Sequence, residues 1–333
     1  MKKLTVNSLA LFLGILFISF GLTDCKKSNP IKYPNGTFPD TVSALTDINS
    51  QYDDINTDLY TLNGSKVLIF SSNRNSSGGQ FDLVQASLSY TWDQTNGKFT
   101  LSAGLTSDPF LTKLLATANT SGNDFGPYSL YSSTDGYEYL ILSSQNGNGD
   151  LDFYYLKNWP VNGNTLPNIL GPYPITWLNT SSDDAYLSFN LMQDTVYFSS
   201  AAGGNFDIYM KPVSSDTSLS DYFNRSYSAS AKVDSVNSDG NDKCPYICGK
   251  IMVFASDRGG GMGGFDLYYS VFRNGAWSSP INFGPSINTQ YNEYRPVLVS
   301  DASFTNYLMI FSSDRPGGKG GYDLYFTGIT IPQ

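Results

Sequence analysis

One sequence pattern occurs five times along the chain, and it limits the fold more than any other feature. The clearest copies read F-S-S-D-R-P-G-G-K-G-G-Y-D-L-Y over residues 311–325 and F-A-S-D-R-G-G-G-M-G-G-F-D-L-Y over residues 254–268. Weaker copies cover residues 69–84, 141–154 and 197–209. Equivalent serines mark the period, and they are Ser72, Ser144, Ser200, Ser256 and Ser313. Such regular spacing is typical of a repeat protein, in which each unit packs against its neighbours.

Each copy has the composition of a β-hairpin. A run rich in Val, Ile, Phe and Tyr precedes a Gly-rich turn, and a second aromatic run follows it. A second repeated element comes before each hairpin, in which an asparagine is followed five residues later by a carboxylate. These pairs are Asn49 and Asp54, Asn119 and Asp124, Asn179 and Asp184, Asn237 and Asp242, and Asn288 and Glu293. The units are therefore predicted to be sheets of similar construction.

Five such units predict an all-β, five-bladed β-propeller, which lies within the usual range of blade numbers. The last unit ends near Ile331, just after its third strand, whereas residues 38–44 precede the first unit and have no blade of their own. We expect a strand near residues 37–45 to complete the last blade, which would close the ring and cover two open edges. The first unit carries an insertion at residues 89–118, and only residues 111–118 look helical.

The N-terminus has the pattern of an export signal. Two lysines precede an apolar stretch from Leu9 to Leu22, and Cys25 follows shortly after it. The sequence predicts a lipoprotein signal peptide at residues 1–24, lipid attachment at Cys25, a lipidated tether at 25–36 and a propeller at 37–333. Asp24 departs from the small residue usual at that position, so an uncleaved anchor or ordinary secretion remains the alternative.

Charge and cysteine content limit the partners. The formal net charge is −9, which is a poor match for nucleic acid or anionic headgroups, so membrane attachment is expected to come from the lipid. In a regular strand Cys244 and Cys248 would lie about 13 Å apart, beyond the reach of a disulfide. They are either buried thiols or, with a bulge or turn at Pro245, a disulfide formed in an oxidising compartment.

The chain has no histidine. This excludes Ser-His-Asp and Cys-His catalysis and a His-ligated zinc site, and neither a P-loop nor a dinucleotide fingerprint is present. We therefore expect no cofactor, no metal and no enzymatic activity. A carboxylate pair for glycoside hydrolysis is the exception, because that chemistry needs only two acids at a suitable separation.

The candidate binding residues belong to the repeats. In a propeller the loop into the innermost strand and the Gly-rich turn emerge on one face, so the five repeated carboxylates should share it. Either each carboxylate caps its own turn, or the group binds a cation or a basic partner residue at the mouth of the pore. Arg74, Arg258 and Arg315 are expected to form inter-blade ion pairs, with a ligand-facing role as the alternative. The candidates for partner or ion binding are Asp54, Asp124, Asp184, Asp242, Glu293, Arg258 and Arg315.

The two C-terminal units resemble the WD40-like repeat of TolB-type propellers, in which N-E-x-x-P precedes a strand and the F-S-S-D-R hairpin. Asn292-Glu293 with Pro296 and Asn241-Asp242 with Pro245 match this pattern. The first three units depart from it: Asn73-Arg74 keeps only the arginine, and Gln145-Asn146 and Ala201-Ala202 lose both the Asp and the Arg.

The resemblance implies a function for the chain. It points to a non-catalytic lipoprotein of the outer membrane of a Gram-negative bacterium, facing the periplasm or the cell surface. Its propeller would bind another envelope protein as a scaffold. The alternative is a glycan-binding or glycoside-hydrolysing propeller, which would have exposed aromatic side chains beside two carboxylates.

Overall fold

The computed structural model describes residues 31–62, 65–159, 168–214, 217–225 and 229–332. These residues form five antiparallel sheets. The innermost strand of each sheet contacts the innermost strands of the two neighbouring sheets, and the last contacts the first. The all-β, five-bladed propeller predicted from the repeats is thereby confirmed.

The first three blades lie consecutively in the chain. Blade 1 consists of β2 (Asp54–Leu62), β3 (Ser65–Ser72), β4 (Asp82–Asp93) and β5 (Lys98–Leu105), with a 3-10 helix at Arg74–Ser76. Blade 2 consists of β6 (Asp124–Tyr131), β7 (Glu138–Gln145), β8 (Leu151–Asn158) and β9 (Leu170–Pro174). Blade 3 consists of β10 (Asp184–Phe189), β11 (Thr195–Ser200), β12 (Asp207–Pro212) and β13 (Ala231–Lys232).

The last two blades differ at their outer edges. Blade 4 consists of β14 (Asp242–Cys248), β15 (Ile251–Ser256) and β16 (Asp266–Arg273), and β16 pairs with two short strands, β17 (Ala276–Trp277) and β18 (Ile281–Asn282). Blade 5 consists of β19 (Glu293–Val299), β20 (Tyr307–Ser313) and β21 (Asp323–Ile329), and its outer strand is β1 (Ser43–Ala44). Two helices, α1 (Pro109–Ala118) and α2 (Leu219–Asn224), lie between strands in the chain.

The ring closes through β1, as the sequence predicted. Ser43 pairs with Phe326 and Ala44 with Tyr325, both antiparallel. Just before this strand, the ring of Phe38 stacks on Phe304 with 3.8 Å between centroids, and Phe38 is fully buried. The N-terminal segment therefore supplies both a strand and core packing to the last blade.

The inserted residues of the first unit extend a hairpin and add one helix. The side chain of Asp108 caps α1 by accepting a hydrogen bond from the backbone N–H of Leu111 at 2.9 Å. The buried face of α1 packs in one apolar cluster with Leu140 and Leu156 of blade 2. This helix therefore fills space between the first two blades.

Asparagine side chains join every blade to the one before it. Each accepts a hydrogen bond from a backbone N–H in the third strand of the preceding blade at 2.7–2.9 Å. Each also donates one to the carbonyl of the same residue at 2.9–3.1 Å. The pairs are Asn119 on Leu83, Asn179 on Phe153, Asn237 on Ile208, Asn288 on Leu267 and Asn49 on Leu324. We call each of these double contacts an inter-blade clamp, and the clamp at Asn49 closes the ring.

A β-bulge interrupts each innermost strand near the axis, two residues after its first carboxylate. The residue there has a positive φ in all five blades, and the residues are Asn56, Gly126, Tyr186, Cys244 and Arg295. A Cβ atom on Gly126 would lie 2.6 Å from Cδ1 of Tyr186. Glycine is therefore required at this position, because the ring of Tyr186 occupies the space beside it.

The cysteines are not bonded to each other. Cys244 lies at the bulge and is buried, and Cys248 is half-buried at the end of β14. Burial raises the pKa of the Cys244 thiol to about 11 and also raises that of Cys248. Both thiols are therefore protonated and weak nucleophiles at neutral pH.

The helices in the described ranges are short in comparison with a membrane span. Neither is long and apolar enough to cross a bilayer. Residues 1–30, which hold the predicted signal peptide and Cys25, lie outside the described residues. Residues 32 and 33, within the predicted tether, donate backbone hydrogen bonds to the carbonyl of Gln94.

The inter-blade clamp predicts a stability effect. Asn49→Ala should lower the free energy of unfolding by about 1–3 kcal/mol, because the buried N–H and C=O of Leu324 lose their partners. Urea unfolding followed by tryptophan fluorescence measures this. Asn148→Ala, at the exposed tip of a turn, is the matched control and should change the stability by less than about 0.5 kcal/mol. Equal losses in the two variants would contradict the role of the clamp.

Candidate active site

Each innermost strand begins with a buried carboxylate. Asp54, Asp124, Asp184, Asp242 and Glu293 are all 0% exposed. Each accepts a hydrogen bond from the backbone N–H of the residue four positions earlier, at 2.5–2.9 Å; the donors are Ser50, Thr120, Thr180, Ser238 and Thr289. Each carboxylate therefore caps the turn that leads into its own strand. We call the face formed by these turns and the Gly-rich turns the entry face.

The residue before each carboxylate joins this face to the preceding blade. It accepts a hydrogen bond from a backbone N–H at the end of the preceding blade's Gly-rich turn, at 2.8–3.1 Å. The acceptors are Asn123, Asp183, Asn241, Asn292 and Asp53. A Cβ atom on Gly320 would lie 2.0 Å from the carbonyl oxygen of Tyr52, so the close approach of the two turns requires glycine. The repeated sequence thus holds neighbouring blades together.

The repeated arginines pair with the carboxylate of their own blade. Arg74 lies 2.5 Å from Asp54 and Arg258 lies 2.5 Å from Asp242. Arg315 lies 2.9 Å from Glu293. Each of the three also donates to a backbone carbonyl of the same entry turn at 2.7 Å.

The predicted inter-blade pairing of these arginines is therefore wrong. Each arginine follows the second strand of its blade, and the end of that strand pairs in register with the start of the innermost strand, as Ser256 does with Asp242. The nearest acid consequently belongs to the same sheet.

Blades 2 and 3 have no arginine in this place. The equivalent residues are Asn146 and Ala202. In blade 3, burial raises the pKa of Asp184 to about 6, the hydrogen-bonding groups of Ser200 and Thr180 lower it in part, and the charge of Asp152 raises it. In blade 2, burial likewise raises the pKa of Asp124. Two of the five carboxylates thus lack a guanidinium. Burial also raises the pKa of Glu293, although the charge of Arg315 lowers it in part.

The charge of Asp152 acts on Asp184 across the junction of blades 2 and 3. Asp152 is the second residue of β8, and its Oδ2 accepts a hydrogen bond from Asn146 Nδ2 at 2.8 Å. Oδ1 of Asp152 and Oδ1 of Asp184 are both buried and make no hydrogen bond. We call these two residues the blade 2/3 carboxylate pair.

Aromatic rings and small residues surround this pair. Burial raises the pKa of Tyr154 and of Tyr209. The charge of Asp152 adds to the shift of Tyr154, and the charge of Asp184 adds to the shift of Tyr209. Both tyrosines are partly exposed, and Ala202, Gly203 and Gly204 in the adjoining turn are exposed. Tyr209 packs against the apolar cluster between blades 2 and 3, whereas Tyr154 packs against the cluster between blades 1 and 2. The junction therefore combines two acids, the partly exposed ring of Tyr209 and a turn without large side chains.

Sequence reasoning missed a further buried acid. Asp58 in β2 is 2% exposed, and its Oδ2 accepts hydrogen bonds from the backbone N–H and the hydroxyl of Ser129. Burial raises its pKa to about 6, although Ser129 and the charge of Arg295 lower it. Asp58 stands outside the repeated motif, and its one signal in the sequence is the polar run Asn56-Thr57-Asp58 within an otherwise apolar strand.

Within the described ranges, no three Cys, Asp or Glu side chains gather in a metal-binding arrangement. The five strand-initial carboxylates are instead spread over five entry turns, each with backbone partners.

Comparisons with known proteins show likeness at the level of the fold. No family model matches the sequence, and no curated protein matches it. A thermostable family-43 glycoside hydrolase matches 86% of this chain and 93% of its own, with a TM-score of 0.54 and 10% identity. An endo-arabinase from Bacteroides thetaiotaomicron matches 88% of this chain and 98% of its own, with a TM-score of 0.53 and 10% identity. An α-L-arabinofuranosidase from Podospora anserina, solved with cellotriose, matches 90% of this chain and 98% of its own, with a TM-score of 0.52 and 13% identity.

These matches correct several predictions. The identification with TolB-type WD40-like repeats is wrong, because the matching structures named above are glycoside hydrolases. The prediction of a non-catalytic, protein-binding scaffold rested on that identification, and the prediction that the chain is not an enzyme rested on missing catalytic motifs. The glycoside hydrolases among the matching structures contradict both predictions. The physical reason lies in the motif, whose Asn, Asp, Arg and Gly residues cap turns and join blades. They therefore specify blade geometry and carry no information about a partner.

The pKa of Asp184 predicts a pH effect on stability. Because its pKa is about 6 in the folded protein, above the ordinary value of 3.8, the native protein holds the extra proton. The stability that this bound proton contributes is therefore present at low pH and is lost as the pH rises from about 4 to 6. Over this range the free energy of unfolding of the wild type should fall by up to about 3 kcal/mol, and in Asp184→Asn this fall should be absent.

Urea unfolding of the wild type and Asp184→Asn between pH 4 and pH 7 measures this difference. Asp242→Asn, which removes an ion-paired carboxylate, is the comparison variant and should not gain stability relative to the wild type as the pH rises. A wild type and Asp184→Asn whose stabilities run parallel across this range would contradict the prediction.

Proposed function

We propose that this propeller binds a carbohydrate chain on its entry face and hydrolyses a glycosidic bond at the junction of blades 2 and 3. The observation that carries the proposal is the blade 2/3 carboxylate pair. Glycosidases commonly use two carboxyl groups, one of them a general acid with a raised pKa.

The fold supports this class of reaction. The matching structures include an endo-arabinase, an α-L-arabinofuranosidase bound to cellotriose and a family-43 glycoside hydrolase, and each aligns over more than nine tenths of its own length. Folds host many functions, so the likeness alone selects no substrate. It does favour glycan over protein as the partner, and the envelope-protein partner expected from the sequence has no support.

Asp184 fits the role of general acid. Its pKa of about 6 lets a useful fraction of the side chain carry a proton at mildly acidic pH. Transfer of that proton to the glycosidic oxygen would assist cleavage of the bond between that oxygen and the anomeric carbon. Thr180, whose backbone N–H donates to Oδ2 at 2.5 Å, would hold the carboxyl group in place.

Asp152 fits the role of the second carboxylate. It would accept a proton from the attacking water in an inverting reaction or attack the anomeric carbon in a retaining one, and the separation of the two carboxyl groups in the substrate complex decides between them. Water supplies the hydroxyl group of the new reducing end, and the departing sugar keeps the proton from Asp184. The atoms of substrate, water and products therefore balance.

The surroundings suit a sugar. Tyr209 offers a partly apolar ring beside the acids. Both Oδ1 atoms are buried in the free protein, so substrate entry requires the turn around Ala202 to open. Gly204 in that turn has φ +105°, and its neighbours have small side chains, so little bulk has to move.

The proposal predicts hydrolysis that depends on both acids. Asp184→Asn and Asp152→Asn should each lower kcat/KM about 10²–10⁴-fold. Asp266→Asn, at the aspartate that begins β16, the second strand of the hairpin in blade 4, is the matched control and should keep most of the activity. The rates are measured by the release of nitrophenol from nitrophenyl arabinofuranosides and xylosides. The release of reducing ends from arabinan and xylan measures hydrolysis of the polymers.

A gain-of-charge variant makes the test sharper. Ala202→Arg would give blade 3 the guanidinium that blades 1, 4 and 5 possess, which should lower the pKa of Asp184 and remove its proton. The Ala202→Arg variant should keep the stability of the wild type and lose its hydrolytic activity. Full activity in Ala202→Arg and Asp184→Asn would contradict the assignment of the acid, and a folded wild type inactive on the whole panel would contradict hydrolysis.

Localisation remains a separate proposal. Residues 1–24 are proposed to direct export and Cys25 to receive the lipid that holds the protein at the outer membrane, with the propeller on the periplasmic or the outer side. The support is the sequence pattern Lys2, Lys3, Leu9–Leu22 and Cys25. Metabolic labelling with a fatty acid, compared between the wild type and Cys25→Ser, tests it, and equal labelling would contradict it.

A further inference from the structure

A group of buried polar side chains lies at the axis of the propeller, away from the proposed active site. Four of the five bulge residues carry side chains there: Asn56, Tyr186, Cys244 and Arg295. None of the four is more than 6% exposed. They come from blades 1, 3, 4 and 5, so the bulges bring chemically different groups together inside the ring.

Arg295 is the unusual member of this group. It is 0% exposed, and its Nη2 donates across the axis to the carbonyl of Pro127 in blade 2 at 3.1 Å. Its Nε and Nη1 make no hydrogen bond. No ion pair joins Arg295 to a carboxylate within the described ranges, although its charge acts on Asp58 from further away. A buried guanidinium without a close counter-ion is costly.

The side chain of Asn56 is also buried with unpaired polar atoms. Its Oδ1 and Nδ2 are both buried without a hydrogen bond. The phenol of Tyr186 lies beside Asn56 and Arg295, since both act on its pKa, which burial raises. The guanidinium also lies over the ring of Tyr186, 5.7 Å from its centroid. Asn56 and Arg295 therefore lie close to the same tyrosine ring.

The unpaired atoms of Arg295 and Asn56 are mostly hydrogen-bond donors. Nε and Nη1 of Arg295 and Nδ2 of Asn56 all carry N–H groups, whereas Oδ1 of Asn56 is the only unpaired acceptor among these atoms. A water molecule would bring donors as well as acceptors. An anion brings acceptors alone and also neutralises the guanidinium.

We propose that the axis of the propeller holds a small monovalent anion of the halide class, bound by Arg295 and Asn56. The anion is a structural component, because the residues around it are closed to solvent. It joins blade 1 to blade 5 beside the ring closure made by Asn49. This inference is independent of the proposed hydrolysis, since it uses neither member of the blade 2/3 carboxylate pair.

Bromide tests the site directly in the full chain. Crystals grown in bromide and measured at its absorption edge should show an anomalous peak within hydrogen-bond distance of the Arg295 guanidinium. In solution, Tm should rise with chloride or bromide concentration relative to gluconate at equal ionic strength, because binding to the native state alone stabilises it. Water at the site, without an anomalous peak or a halide effect, would overturn the proposal.

Two variants and a control separate binding from general salt effects. Asn56→Asp places a fixed negative charge beside Arg295, and Asp tolerates the positive φ of 59°, so this variant should fold and lose the halide dependence of Tm. Arg295→Met should also lose it if it folds. Arg273→Met removes an exposed arginine and should keep the dependence. Undiminished halide dependence in Asn56→Asp would overturn the proposal even if Arg295→Met fails to fold.

Discussion

The inter-blade clamp is the interaction on which the rest of the structure depends. Each repeated asparagine satisfies both the N–H and the C=O of one residue in the neighbouring blade, and apolar clusters between adjacent blades lie behind these contacts. Because the clamp at Asn49 has the same form as the others, ring closure uses the same chemistry as every other junction. The short β1 strand then completes the last sheet. A fixed spacing of asparagine, carboxylate and Gly-rich turn is what this arrangement requires.

The same requirement explains why most of the repeated polar residues are unavailable for chemistry. The strand-initial carboxylates accept hydrogen bonds from their own turns, and Arg74, Arg258 and Arg315 hold three of them in ion pairs. Blades 2 and 3 lack the arginine. There Asp184 keeps its cap, has a pKa of about 6 and lies near Asp152. A departure from the repeat, rather than the repeat itself, therefore marks the place where the proposed reaction would occur.

The sequence was sufficient for the fold, including the blade number and the N-terminal strand in the last blade, because both follow from counting repeated units. It also allowed the capping role of the carboxylates. It could not place the arginines, since whether Arg258 meets an acid of its own or of the next blade depends on strand register. It pointed to the wrong functional class, because the motif that resembles TolB-type repeats consists of residues with structural roles. Asp58 was not found because it stands outside the repeated motif. Asn56 and Arg295 were not found because the bulge positions share a backbone conformation and have no residue type in common.

The central claim is that the functional part of the entry face lies at the junction of blades 2 and 3, where the arginine is absent. A crystal structure of the Asp184→Asn variant soaked with arabino- or xylo-oligosaccharides tests it most directly. The account predicts a sugar beside Tyr209, with a glycosidic oxygen within hydrogen-bond distance of residue 184. Sugar bound over the arginine-bearing blades 1, 4 and 5, or the absence of sugar from the entry face at saturating concentration, would contradict it.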